Sequence, residues 1–229
     1  MRICVVNFAK GKRYEKGAIR VKRTFLKNGY DGDFAFYTDE KQLGCPPHRE
    51  VPYAFKAYAL LENLKKGYDI LIWADAYIIL AAPFSKVQDF IIEHGHILLL
   101  NGWTTGVWCA DSALKPLGIT REESFTYPHI MACMMAFDCR REVNIKFLNQ
   151  YYAKATDGIT FKGAWKNNHQ QVSKDKRVLG HRHDQTAASI IACKLGMDFA
   201  TYLLTYEPNS SKWKDTILFV NDRARKMPF

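Results

Sequence analysis

A single carboxylate, Asp75, interrupts one of the most apolar stretches of the chain. The segment Tyr68–Leu80 reads YDILIWADAYIIL, and Asp75 follows closely on the apolar run Ile70–Trp73. A carboxylate in such a segment is costly unless it is paired or bound to a metal. A helix cap or a solvated strand end is the ordinary explanation, but apolar residues resume at Ile78 and leave no helix start to cap. The placement therefore favours a functional carboxylate at the end of a buried strand.

A second polar cluster precedes a helical segment late in the chain. His181, Arg182, His183 and Asp184 stand directly before the helix-like sequence QTAASIIACKLG. Asp184 as an ordinary N-cap is one interpretation, and a structural histidine is an equally good one for either imidazole alone. Four groups able to bind or transfer protons nevertheless converge here, which makes Asp184 a candidate general base.

Lys56 lies in the first turn of a helix predicted to begin at Pro52. A cation at this end opposes the helix dipole, which makes sense if an anion binds there. A solvated surface lysine is the alternative.

Two segments combine aromatic side chains with small polar ones, as sugar-binding walls do. The first, NGWTTGVWCAD, contains Trp103, Thr105 and Trp108, and the second, around Trp165 and Asn167, repeats the pattern. Aromatic faces pack on the C–H faces of sugars, and polar groups at the edge bind their hydroxyls. Tryptophans buried in the core would give the same pattern.

The elements that must position these residues alternate between strand and helix. Apolar runs at RICVVNF, DFAFYT and DILIW are separated by two helical segments within the first 75 residues or so. This order predicts an α/β fold with a mostly parallel central sheet flanked by helices. The ends of such strands are where ligands bind, which is where Asp75 is expected. The stretch from Thr156 to His183 has no clear period and is predicted to be a functional loop.

Composition narrows the class of protein. The 229 residues are 48% hydrophobic and carry a formal net charge of +10, which suits one domain with anionic partners. The six cysteines have no C-x-x-C spacing, and no apolar stretch reaches the roughly 18 residues of a membrane span. We therefore expect a soluble, cytoplasmic protein.

The Asp75 segment resembles the hhhWxDxDhh segment of GT-A-type glycosyltransferases, in which h is apolar. The resemblance implies a Rossmann-like single domain over residues 1–229, with a nucleotide-binding half of about 1–100 and a donor-sugar and acceptor half of about 101–229. It implies that Asp75 and Ala76 contact the nucleotide-sugar donor and that a divalent metal, Mn or Mg, is used. Tyr77 stands where the second carboxylate of the motif is expected, and a phenol is a poor ligand for these ions. His183 is a candidate to complete the metal shell with Asp75.

Other segments match the same family. The sequence HDQTAAS resembles the acidic start of a late helix that faces the acceptor hydroxyl, so Asp184 is the implied general base of an inverting reaction. By the same resemblance Lys56 would contact a phosphate. The loop after the first strand is implied to hold the nucleotide, through Asn7, Phe8, Ala9, Lys10 and Arg13. The donor-sugar and acceptor wall would contain Trp103, Thr105, Trp108, Trp165, Asn167, His181 and Arg182.

These observations predict a hexosyl- or pentosyltransferase that moves a sugar from a nucleoside-diphosphate sugar, with UDP favoured, to a hydroxyl of a glycan-type acceptor. One competing class is a basic nucleic-acid-binding protein or nuclease, although the sequence shows no helix-turn-helix, RRM or OB pattern and no dense carboxylate cluster. Another is a GT-A-shaped protein that binds nucleotide without catalysis, an alternative that Tyr77 keeps open.

Overall fold

The computed structural model describes residues 1–201, 203–205 and 218–221. A five-stranded sheet with the order β2-β1-β3-β6-β5 forms the centre of the molecule. Its strands are β1 (Ile3–Phe8), β2 (Asp33–Tyr37), β3 (Ile70–Ala74), β5 (His96–Thr104) and β6 (Pro128–Asp138). Four of them share one direction, and β6 runs opposite to its neighbours β3 and β5. The predicted α/β fold with a mostly parallel sheet is confirmed.

Helices cover both faces of this sheet. They are α1 (Lys12–Lys27), α2 (Ala54–Lys65), α3 (Phe84–His94), α4 (Asp111–Leu117), α5 (Arg121–Thr126), α6 (Glu142–Thr156) and α7 (His183–Lys194). Because two layers of apolar side chains enclose the sheet, every residue of β1 and of β3 is buried. This double coverage explains why both strands read as continuous apolar runs. None of the helices described is both long and apolar enough to cross a bilayer.

A smaller sheet lies beside the main one. Its order is β4-β8-β7, from β4 (Ile78–Leu80), β8 (Phe219–Asn221) and β7 (Leu204–Thr205). The apolar residues that resume after Asp75 therefore form a separate short strand. The sequence also suggests a late strand over 198–206 and a basic tail that folds back; parts of both lie outside the described residues.

An irregularity in β6 lies next to the end of β3. Leu98 of β5 pairs with Met135 and Leu99 pairs with Met131, so residues 132–134 form a bulge between these partners. The carbonyl of Cys133 in this bulge accepts a 2.8 Å hydrogen bond from the backbone N–H of Asp75. Bulges commonly redirect backbone groups beside functional sites. Here the bulge fixes the point at which the chain leaves β3.

Gly17 allows α1 to pack closely against the turn after Asp75. A Cβ atom at Gly17 would lie 2.4 Å from the carbonyl oxygen of Ala76, closer than non-bonded atoms tolerate. Helix α1 therefore packs directly against the Asp75–Tyr77 turn. A residue larger than glycine at position 17 would push the helix away from that turn.

Candidate active site

Three ionisable side chains from three different elements meet below the carboxyl end of β3. The ammonium nitrogen of Lys56, on α2, lies 2.9 Å from Oδ2 of Asp184, on α7, and 3.4 Å from Oδ1 of Asp75. It also donates a 2.8 Å hydrogen bond to the carbonyl of Ala132 in the β6 bulge. The indole N–H of Trp73 donates to Oδ1 of Asp75 at 2.8 Å. We refer to Lys56, Asp75 and Asp184 as the charged triad.

Burial and the charge of Lys56 shift the pKa values of the two carboxylates in opposite directions. Burial raises the pKa of both Asp75 and Asp184, and the Lys56 ammonium partly reverses this effect. Burial lowers the pKa of Lys56, but the charges of Asp184 and Asp75 outweigh it and hold that pKa above its usual range. One ammonium thus serves two carboxylates, so at least one of them is a stronger proton acceptor than an exposed aspartate.

The helices that carry Lys56 and Asp184, α2 and α7, both start at residues with unusual backbone conformations. Tyr53, directly before α2, has φ 60°, and His183, the first residue of α7, has φ 45°. Both lie in the left-handed region that non-glycine residues seldom adopt, and their ring centroids are 5.8 Å apart. The sequence predicts that α2 begins at Pro52, but the helix begins at Ala54. The left-handed conformation of Tyr53 explains the later start. Strain of this kind concentrates at functional sites.

A cavity of about 300 Å³ opens above Asp75, and we call it the Asp75 pocket. Its lining consists of Phe8, Lys10, Tyr14, Glu40, His48, Tyr53, Phe55, Asp75, Ala76, Tyr77 and Cys133. The rings of Phe8 and Phe55 stack with centroids 4.2 Å apart. Lys10 pairs with Glu40 at 2.5 Å, which contributes to the lowered pKa of that carboxylate despite its partial burial. An aromatic pocket with a carboxylate at one end and a lysine within it can hold a flat base and an attached anion.

A second cavity, of about 440 Å³, lies along the same part of β6, and we call it the tryptophan cleft. It is lined by Leu100, Asn101, Trp103, Trp108, His129, Met131, Arg182 and Gln185. Met131 here and Cys133 in the Asp75 pocket are alternate residues of one strand. Gln185 directly follows Asp184. The two cavities are therefore neighbours: Asp75 of the charged triad lines the first, and Gln185, next to Asp184 in sequence, lines the second.

Several of the predicted site residues line these cavities. Phe8, Lys10, Asp75 and Ala76 line the Asp75 pocket, and Trp103, Trp108 and Arg182 line the tryptophan cleft. Trp165 belongs to the same neighbourhood, because the Arg182 guanidinium lies over its ring at 4.2 Å. Lys56 and Asp184 are buried and line neither cavity.

The other predicted site residues make hydrogen bonds or packing contacts within the protein. Asn7 is buried and donates to the carbonyl of Ala74, and Ala9 is buried beside β2. Arg13 lies 5.4 Å from the ring of Tyr77. Thr105 is buried and donates to Pro128, while Asn167 bonds Val172, Ser173 and Val178 and so shapes the long loop. Both ring nitrogens of His181 are occupied, by the N–H of Ala110 and the carbonyl of Thr160.

The residues expected to hold a metal do not form a site for one. Asp75 directs Oδ1 towards Trp73 and Lys56, and His183 directs Nδ1 towards the carbonyl of Phe161 at 3.0 Å. Across the described ranges, no three His, Cys, Asp or Glu side chains are grouped so that they could share an ion. Tyr77 supplies a phenol where a second carboxylate would be needed. The donor set of the described residues therefore does not fit a resident divalent metal.

Sequence reasoning missed several residues of the site. Glu40 and His48 come from the connection between β2 and α2, and His129 and Gln185 complete the tryptophan cleft. Tyr151 of α6 is fully buried, and burial together with the charges of Asp184 and Asp75 raises the pKa of its phenol. The capping-box spacing from Asp39 to Gln42 was a usable signal for the turn that holds Glu40.

Comparison with solved structures identifies the architecture. A glycosyltransferase involved in glycosylation of the major capsid of PBCV-1 superposes with a TM-score of 0.57 at 10% identity, covering 98% of this chain and 94% of that one. Mouse xyloside xylosyltransferase 1 gives a TM-score of 0.51 at 8% identity over 100% of both chains. The chain has the GT-A fold. The WbbM bifunctional glycosyltransferase gives a TM-score of 0.55 at 7% identity, and the match covers 98% of this chain and 46% of that one.

The likeness to known proteins is found by comparing structures and not by comparing whole sequences. No protein-family model and no curated protein sequence matches this chain. At the identities found, the likeness concerns the fold, so the chemistry of this GT-A chain must be argued from its own residues.

Proposed function

We propose that this protein is a glycosyltransferase that moves a sugar from a nucleoside-diphosphate sugar, with UDP favoured, to a hydroxyl of a glycan-type acceptor. The observation that carries the proposal is the charged triad, in which Asp75 at the end of β3 faces an aromatic pocket while Lys56 joins it to Asp184. A carboxylate, a lysine and stacked aromatic rings suit a nucleoside diphosphate, and the adjoining tryptophan cleft suits a sugar.

The Asp75 pocket is assigned to the donor. Phe8 and Phe55 offer ring faces to the base, Asp75 accepts hydrogen bonds from the ribose, and Lys10 lies within reach of anionic groups. As the acceptor oxygen bonds to the anomeric carbon, the bond from that carbon to the diphosphate oxygen breaks and its electron pair leaves with the diphosphate. Lys10 supplies positive charge that stabilises the negative charge developing on the diphosphate, while Lys56 remains paired with Asp75 and Asp184.

Asp184 is assigned as the group that receives the acceptor proton. Its raised pKa makes it a better proton acceptor than an exposed aspartate, and it adjoins Gln185 in the wall of the tryptophan cleft. Trp103, Trp108, Trp165 and Arg182 form the sugar-binding wall. Among the described residues Asp75 is the carboxylate available to a cation, so we assign Mn or Mg to the donor diphosphate, which would bring the ion into the pocket.

A panel of nucleoside diphosphates and their sugars tests this proposal. UDP, GDP, CDP and ADP are titrated with and without Mn while the melting temperature is followed, and hydrolysis of each nucleotide sugar is then measured. Selective stabilisation by one nucleoside diphosphate and slow hydrolysis of its sugar are the expected results. The proposal fails if no nucleotide stabilises the protein and no sugar is released.

Oligonucleotide binding is the matched measurement for the competing class. A basic nucleic-acid-binding protein binds with an affinity that falls steeply with salt concentration. Because the aromatic residues here line a pocket that also contains the carboxylates Asp75 and Glu40, we expect no such binding above the background of a basic protein. Nucleotide binding without any hydrolysis or transfer would instead identify a GT-A chain that has lost catalysis.

A further inference from the structure

Helix α1 carries most of the net charge of the protein. Its 16 residues include seven lysines and arginines and one acidic residue, Glu15, so its surplus of six positive charges is more than half of the net charge of +10 of the whole chain. In each of the helices α2 to α7, the basic and acidic residues differ in number by at most one. The positive charge of the sequence is therefore concentrated on one element.

The two sides of α1 have different surroundings. Val21 and Phe25 are fully buried in the core that also contains apolar residues of β1 and β3. Residues seven positions apart in a helix lie nearly above one another, so Lys12, Ile19 and Leu26 form a row on the opposite side, and all three are exposed. We call this exposed side the α1 face. It consists of Lys12, Ile19, Lys22, Arg23, Leu26 and Lys27.

The α1 face contains two exposed aliphatic side chains. Ile19 is 68% exposed, more than any other large hydrophobic side chain that the structure describes, and Leu26 is 50% exposed. A single exposed apolar residue is ordinary on a protein surface. Here two of them lie one above the other among cations, on a helix whose apolar side is already buried. Because this pair adds nothing to the core, it favours contact with an apolar partner.

The cations of the α1 face have no acidic partner within the described part of the chain. No carboxylate there pairs with any of the four, Lys12, Lys22, Arg23 and Lys27. Lys22 lies over the ring of Phe34 at 5.4 Å, a contact that does not neutralise its charge. Glu15, the one carboxylate of the helix, instead accepts a 3.1 Å hydrogen bond from the backbone N–H of Gly11.

The remaining cations of α1 make contacts within the protein. They are Arg13, Lys16 and Arg20. Residues 206–217 and 222–229 contain five basic and three acidic side chains, so the sequence offers no acidic segment there to balance the α1 face. Even without those three cations, the face combines four unpaired positive charges with exposed aliphatic groups.

We propose that the α1 face docks the protein on a lipid bilayer that contains anionic lipid. The four cations contact the phosphate groups of the lipid heads, and Ile19 and Leu26 enter the boundary between heads and hydrocarbon. Clusters of about four to eight lysines and arginines on an amphipathic helix are typical of such surfaces. Nucleic acid also binds basic helices, but it does so through charge and polar contacts, to which exposed aliphatic side chains add little.

This docking does not depend on the proposed function, but it has a consequence for it. Lys10 precedes α1, Tyr14 belongs to its first turn, and both line the Asp75 pocket. A bilayer bound along α1 therefore lies near that pocket.

Binding of the full chain to vesicles tests the inference. The probes are vesicles of phosphatidylcholine alone and vesicles in which about 30% of the lipid is phosphatidylglycerol, compared by sedimentation at low and at high salt. We expect the anionic vesicles to bind the protein about tenfold or more tightly than the neutral ones, and high salt to reduce this preference because it screens surface charge. Equal binding to both kinds of vesicle, or binding to neither, would overturn the inference.

Removal of three cations from the α1 face tests the electrostatic part. The variant Lys12→Gln/Arg23→Gln/Lys27→Gln should bind the anionic vesicles about 100-fold more weakly, since each cation close to an anionic membrane contributes about fivefold.

The matched control removes three exposed lysines of the loop between α6 and α7. The variant Lys162→Gln/Lys174→Gln/Lys176→Gln lowers the net charge by the same amount and leaves α1 unchanged. It should lose less than about fivefold, because charges away from the contact are screened. Equal losses in the two triple variants would show that net charge alone drives binding, and the docking face would be refuted.

Removal of the aliphatic side chains tests the choice of a bilayer over nucleic acid. Ile19→Ser/Leu26→Ser keeps every charge of the α1 face and should weaken binding to the anionic vesicles by about tenfold. Ile159→Ser changes an isoleucine that is 48% exposed elsewhere on the surface and should bind as the wild type does. Normal vesicle binding by the α1 serine variant would show that the face recognises charge alone. That result, or tighter binding of a duplex oligonucleotide than of the anionic vesicles, would refute the bilayer as partner.

Folding and the proposed function are followed separately in every variant. The five positions changed on α1 are exposed and none of them lines the Asp75 pocket, so melting temperature and nucleoside diphosphate affinity should stay close to those of the wild type. A wild-type protein that binds anionic vesicles but no nucleotide supports the docking face and counts against the proposed function. A protein that binds nucleotide but shows no preference for anionic vesicles refutes only the docking face.

Discussion

The ammonium nitrogen of Lys56 lies 2.9 Å from Oδ2 of Asp184, and each of the two side chains is 3% exposed. Because Asp75 is only 3.4 Å from the same ammonium, Lys56 is the shared counter-ion of both carboxylates. It is also anchored to the carbonyl of Ala132 in the β6 bulge. The position of both proposed catalytic carboxylates thus depends on one buried lysine.

Replacing Lys56 with methionine is expected to destabilise the fold by about 3 kcal/mol or more, since two buried carboxylates lose their only shared cation. Urea denaturation measures this change. Lys66→Met is the control: Lys66 follows the same helix, is 45% exposed and pairs with Glu62 at 3.5 Å, so its loss should cost less than about 1 kcal/mol. Equal effects of the two substitutions would show that the buried ion pairs contribute nothing.

Asp75→Ala is expected to weaken nucleoside diphosphate binding by about 30-fold or more, the loss of one charged hydrogen-bonding group. The variant removes the carboxylate from the wall of the Asp75 pocket and leaves Lys56 paired with Asp184. Isothermal titration calorimetry measures the loss. The matched control is Glu40→Ala, in the same pocket, which should change affinity but not remove it. An Asp75→Ala protein that binds the nucleotide normally would contradict the donor assignment.

Asp184→Ala is expected to leave nucleotide affinity within about threefold and to lower the rate of transfer by about 100-fold or more, as expected for loss of a general base. Asp184 is buried and does not line the Asp75 pocket, which is why binding should survive. The rates come from transfer assays at saturating donor. Normal transfer by this variant would show that the proton goes elsewhere.

The fold and the position of Asp75 could be predicted from the sequence, because each depends on local patterns. Alternating strand and helix periods predict the sheet, and the break in the apolar run after Trp73 predicts the end of β3. Lys56 shows the limit of this reasoning. Its place in a first helical turn predicts an anion nearby, and the structure supplies two anions from the chain itself, Asp75 and Asp184.

The tryptophan cleft could not be assembled from sequence, because its parts meet only through long-range pairing. His129 comes to the cleft because β6 runs antiparallel between β3 and β5, and a bulge in that strand sets its register. No local period encodes that bulge. The capping box of Thr120 and Glu123, by contrast, was a local signal for α5.

His181→Gln tests the structural role of this histidine through pH. Burial, reinforced by neighbouring His183, lowers the pKa of His181 to about 4, below its usual value of 6.5. Between these values the unfolded chain binds a proton that the folded protein does not, so this histidine makes stability fall as pH decreases from about 6.5 towards 4.

The glutamine variant lacks that contribution. Its stability deficit relative to wild type should therefore shrink by about 2 kcal/mol between pH 7.5 and about pH 5, as measured by denaturant titration at both pH values. A deficit for His181→Gln that does not change with pH would show that its imidazole titrates normally.

Tyr77→Asp should convert the Asp75 pocket into one that binds nucleotide with a metal. In the wild-type pocket Glu40 is paired with Lys10, which leaves Asp75 as the carboxylate available to a cation, so Mn is expected to change nucleoside diphosphate affinity by less than about threefold. A second carboxylate two residues after Asp75 supplies the oxygen ligands that Mn and Mg prefer, and the variant should gain about tenfold or more. Calorimetric titrations with Mn and with a chelator measure both affinities.

Tyr14→Asp is the matched control, because it adds the same charge to the same pocket from α1 without the Asp-x-Asp spacing. In the wild type the ring centroids of Tyr14 and Tyr77 are 5.7 Å apart. If Tyr14→Asp gained as much as Tyr77→Asp, the effect would be one of charge and not of ligation. If a chelator abolished nucleotide binding by the wild-type protein, the chain would hold a metal through ligands other than these.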